Sequence, residues 1–143
     1  MAELGLISRA CVGPLSGAAL FVILTGGRLP RGRPRLPGGA LAARCALLAT
    51  SAGLEEVVWR AILLGGLARA IGSPAALVVS SVVFAAWHWR ALGRGCAVHL
   101  VTGVGFGAAF LVGGLPAAIV SHAAYNILVD WAVRAERARR HGR

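Results

Sequence analysis

The chain has 143 residues, 57% hydrophobic and 14% charged, and its mean hydropathy is +0.74. Soluble domains usually carry about a quarter charged residues, so this surface suits lipid better than water, and disorder, collagen and a disulfide scaffold are excluded. The net charge of +10 comes from 15 basic residues, all of them Arg; they fall mostly between apolar stretches and in the tail, a topology signal that gives no reason to expect a nucleic-acid partner.

Five apolar segments follow one another, at residues 10–26, 39–67, 74–89, 97–112 and 116–133. They are long, rich in Ala and Leu, and lack period-2 alternation, so they read as helices rather than strands. The expected fold is an all-α, polytopic membrane helix bundle of about five transmembrane helices. Three regions divide it: residues 1–38, an N-terminal span with an Arg-rich connection; 39–133, a helix bundle; and 134–143, a basic tail. The first segment reads as a span and not a signal peptide, because Glu3 precedes Arg9 and no convincing cleavage site follows. Ser73 before Pro74 is expected to cap the third helix, and Pro116 after Gly113 and Gly114 to start the fifth. In the fourth, Gly103 and Gly107 form a small-xxx-small pair for close helix packing. Cys11, Cys45 and Cys96 form no paired motif, and each is expected to be a small buried hydrophobe.

Orientation follows from the arginines. Arg28, Arg31, Arg33 and Arg35 lie in the first connection, Arg90 and Arg94 in the third, and Arg134, Arg137, Arg139, Arg140 and Arg143 in the tail, against Arg9 and Arg69 on the other side. This places the C-terminus and the first connection in the cytoplasm and the N-terminus outside, in a multi-pass protein of the cell membrane. Arg44, inside the second segment, is expected to snorkel to the interface.

Ionisable side chains inside spans cost several kcal/mol each and are functional candidates by default. Glu56 and Arg60 stand i, i+4 in the favourable order and are expected to form a structural ion pair. Glu55 lies about 100° around the helix and is left free for chemistry. Phe84 and His88 share a helical face, as do His122 and Asn126. His99 and His141 have no partner at helical spacing and carry no role. At about 1.5 Å per residue, Glu55 and Asn126 each lie about 15 Å inside a bilayer edge, so that they, His88 and His122 can share one cavity if helix tilts absorb the differences.

Together, Glu-Glu-x-x-x-Arg at 55–60, Phe-x-x-x-His at 84–88 and His-x-x-x-Asn at 122–126 resemble the CPBP intramembrane proteases, also called the Abi or CAAX prenyl protease family. The resemblance implies an endopeptidase that cleaves a membrane-associated peptide or protein within the lipid bilayer. It gives Glu55 and His88 the activation of water, and His122 and Asn126 the stabilisation of the oxyanion. It favours no cofactor; the alternative is a zinc ion on Glu55, His88 and His122, with water completing the set. Only one span precedes Glu55, so a partner or self-association is expected to complete the cavity. Two other function classes compete: a non-catalytic membrane protein for bacteriocin immunity or partner binding, with the polar cluster as interhelical glue, and a proton-coupled carrier using the same Glu and His.

Overall fold

A computed structural model of the chain describes residues 2–28 and 38–141, with side chains over 11–28 and 39–140. The described residues are helical almost throughout. Helix α1 runs Ala2–Thr25, α2 Gly38–Glu56, α3 Gly65–Ile71, α4 Ser73–Leu92 and α5 Ala97–His141. A π-helical stretch, Val57–Leu64, joins α2 to α3 without a break, and a 3₁₀ turn, Gly93–Cys96, joins α4 to α5. Arg31, Arg33, Arg35 and Arg143, counted for orientation, lie outside the described residues.

The all-α expectation holds. Helix α5 is two limbs, bent at Gly114, whose φ of +74° and ψ of −171° are not helical. Glycine alone adopts that backbone cheaply, and Pro116 two residues later suits the first turn of the limb that follows. The third segment differs in detail from the expected cap: α4 is flanked by Gly72 and begins at Ser73, which makes no capping side-chain hydrogen bond. The helical stretch Ser73–Arg140 is long and apolar enough to cross a bilayer, and Cys11–Thr25 is a shorter apolar helix. The charges at Arg44, Glu55, Glu56 and Arg60 set the helix between them apart.

Small residues decide how closely the helices meet. A Cβ on Gly103 would lie 3.2 Å from the Cα of Ser81, and one on Gly107 would collide with Leu77, so α4 and the first limb of α5 touch along the expected glycine pair. A second seam, not anticipated, joins α1 to the second limb. A Cβ on Gly13 would stand 2.9 Å from the Ala117 carbonyl oxygen, and one on Gly17 would collide with the Ser121 carbonyl oxygen. Beside them the Ser16 hydroxyl donates to Ser121 Oγ at 2.8 Å. Where lipid is as apolar as Leu, such contact and interhelical hydrogen bonds replace the hydrophobic drive between helices. Gly17→Leu should therefore part α1 from α5 and cost about 1–3 kcal/mol, read as a lowered melting temperature in detergent; unchanged melting would refute the seam.

The cysteines correct one expectation. Cys96 is buried, but Cys45 is half-buried and Cys11 is exposed on α1. Apolar sequence context does not separate a core position from a lipid-facing one.

Candidate active site

The π-helical stretch widens the helix directly after the glutamate pair, with the Gly65 amide donating to the carbonyl of Arg60, five residues back. Such wide turns collect at functional sites. Glu56 and Arg60 face inward and are completely buried, whereas Glu55 is half-buried. Arg60 Nε lies 3.1 Å from Glu56 Oε2. That contact is an ion pair by charge, since neither atom has an aligned hydrogen-bond partner. The guanidinium instead lies over the Phe84 ring, 4.9 Å from its centroid, a cation–π placement strengthened by the dry surroundings.

The other oxygen of Glu56 reaches a second helix. His122 Nδ1 stands 2.8 Å from Glu56 Oε1; because a carboxylate accepts, Nδ1 donates. The His122 imidazole stacks on Phe106 at 4.4 Å. His88 is fixed in the same sense, with its Nδ1 donating to the Phe84 carbonyl one turn back at 2.8 Å. Both rings are thus anchored through Nδ1, with Nε2 turned away from that anchor.

Phe84, 1% exposed, is the hub. Its ring meets His88 at 4.7 Å, Trp59 at 5.7 Å and His122 at 6.5 Å. It also meets His99 at 5.6 Å, and His99 stacks on His88 at 4.0 Å. This corrects the sequence reading of His99, whose partner comes from the preceding helix and not from helical spacing on its own.

Of the residues singled out in the sequence, the fold brings Glu56, Arg60, His88 and His122 into one cluster around Phe84. Glu55 is adjacent to it in the chain and is engaged by no hydrogen bond or salt bridge among the described residues. Asn126, one turn beyond His122, lines a cavity of about 450 Å³ between α2 and the last limb of α5. Among the described residues, no group of three or more His, Cys, Asp or Glu side chains is placed to hold a metal ion.

Sequence reasoning missed Phe106, His99 and Asp130. Asp130 is the chain's only aspartate. It accepts from Arg44 at 2.9 Å and from Arg134 at 2.7 Å, so Arg44 pairs across helices where snorkelling was expected. The i, i+4 spacing of Asp130 and Arg134 was the available signal. Beyond it, Arg139 and Arg140 donate to the exposed Glu136 and hold its carboxyl at about 2, below the ordinary 4.5. A lowered folded-state value stabilises above the unfolded one, so this support for the tail is full above about 4.5 and is lost as pH falls through about 2. A carboxyl titration followed by NMR should give that low midpoint, and Arg139→Gln should raise it; an unchanged midpoint in the variant would remove the assignment.

The family model described as type II CAAX prenyl endopeptidase Rce1-like matches residues 37–128. No curated protein and no solved structure matches the chain. The matched span holds all three motifs, from the glutamate pair through Phe84 and His88 to His122 and Asn126. It is a family of membrane-embedded proteins, in keeping with the apolar stretch Ser73–Arg140. The chain belongs to the Rce1-like family of type II CAAX prenyl endopeptidases.

Proposed function

We propose that this chain is an intramembrane endopeptidase that hydrolyses a peptide bond of a membrane-associated substrate with a water activated by Glu55 and His88. It spans the membrane about five times, N-terminus outside and C-terminus cytoplasmic. One observation carries the reading: His122 of α5 is anchored on Glu56 of α2, the neighbour of Glu55, while the Phe84 ring joins that anchor to His88.

Glu55, set off from the buried pair, takes a proton from water as the oxygen attacks the carbonyl carbon of the substrate. His88, with Nε2 basic, orients that water and shares the proton. Negative charge develops on the carbonyl oxygen and is met by the Asn126 amide and by the His122 ring donating through Nε2. Collapse of the tetrahedral intermediate breaks the C–N bond, and the leaving amine takes the proton held by the Glu55–His88 pair. Glu56 and Arg60 touch no reacting atom; they hold His122 and the wide turn. No step passes through a metal.

The test is cleavage in proteoliposomes. Parent and Glu55→Gln protein are reconstituted with candidate membrane peptides, and products are identified by mass. Cleavage by the parent that the variant lacks supports the proposal; equal cleavage by both removes it.

A further inference from the structure

His99 stands outside the three motifs, yet it touches two of their residues. It is the third residue of α5, and His88 lies in the last turns of α4. The 3₁₀ turn Gly93–Cys96 brings the chain back between them, starting from Gly93 at φ +54°, a positive value that glycine adopts without strain. The two imidazoles stack at 4.0 Å with 19° between their planes. The Phe84 ring stands edge-on to both, 4.7 Å from His88 and 5.6 Å from His99.

These contacts restrain different motions of the His88 ring. The hydrogen bond from Nδ1 to the Phe84 carbonyl, at 2.8 Å, fixes which edge of the ring faces its own helix. A single bond of this kind leaves the ring free to tilt about it. A flat partner against the face removes the tilt, and aromatic pairs hold such an arrangement beyond what buried area alone supplies. What the tilt would move is Nε2, the atom that meets the water in the proposed reaction. Orientation of this sort weighs heavily, since a displacement of about 1 Å costs on the order of 100-fold in rate. We propose that His99 is a positioning residue for His88, stacked on its imidazole so that Nε2 keeps one direction. Its kinetic consequence rests on the protease reading above, while the stack itself rests on the ring geometry alone.

Two variants and two readouts test it. His99→Leu fills the space without a flat face, and His99→Phe restores the face without ring nitrogens. In proteoliposomes His99→Leu should lower kcat by about ten-fold and leave KM within about two-fold of the parent. His99→Phe should return kcat to within about two-fold of the parent. The second readout is NMR of the full chain in micelles with labelled histidine. The His88 Cε1 proton of the parent should be shifted upfield by the stacked ring, a shift kept in His99→Phe and lost in His99→Leu. A parent that cleaves nothing removes the protease reading, and the ring signal still upholds or refutes the stack. The proposal is overturned by parental kcat in His99→Leu, by a His99→Phe variant no faster than His99→Leu, or by a parent ring signal without the upfield shift. That last measurement needs no variant to fold.

Discussion

Glu56→Leu should destabilise the folded chain by about 3–5 kcal/mol, the cost of leaving one member of a buried ion pair without its partner. Glu56 and Arg60 are both 0% exposed, and when the carboxylate goes the guanidinium keeps its approach to the Phe84 ring and the more distant charge of Glu55 but loses its buried partner. The same change takes the acceptor from His122 Nδ1, so α2 and α5 lose their buried polar link. Glu56→Leu combined with Arg60→Met should recover most of the loss, because removing both charges leaves neither to desolvate. Denaturant unfolding in mixed micelles reads the comparison. If the double variant were as unstable as the single one, the ion pair would not be the source of the cost.

One residue earlier, Glu55→Gln should act on the rate and not on the fold. Replacing a general base lowers turnover by about 100- to 10,000-fold, while a half-buried side chain held by no hydrogen bond or salt bridge gives the fold little to lose. Asn126→Ala should cost about 100-fold, as loss of one oxyanion donor does. Both should melt with the parent. Two adjacent glutamates thus separate cleanly, one through stability and one through kcat. A Glu55→Gln protein that unfolded as readily as Glu56→Leu would place Glu55 in the structural pair and leave the reaction without its base.

The sequence made the local relations legible and the distant ones only as a class. Glu56 with Arg60 and Phe84 with His88 were readable because a helix brings i and i+4 together whatever surrounds it. Which glutamate would meet His122 was not readable, since it depends on the rotation of α2 against α5, and a separation of 66 positions in the chain does not set that by spacing. His99 was missed for the same reason: its stack on His88 crosses the 3₁₀ turn between two helices. The Gly13 and Gly17 seam was not anticipated, because nothing in α1 says that its neighbour is the limb beginning near Pro116. Asp130 was overlooked beside the more conspicuous polar pairs, although its spacing to Arg134 is the same local rule.

The wide turn at Val57–Leu64 has a bearing on how relatives should be compared. Past it, a helical wheel drawn at 3.6 residues per turn falls out of phase, so positions that look equivalent by counting from the glutamates point in different directions. Any relative whose helix runs straight there would have to be aligned with a gap after the arginine, and a motif search that forbids gaps within helices would misplace everything between Leu64 and Ile71.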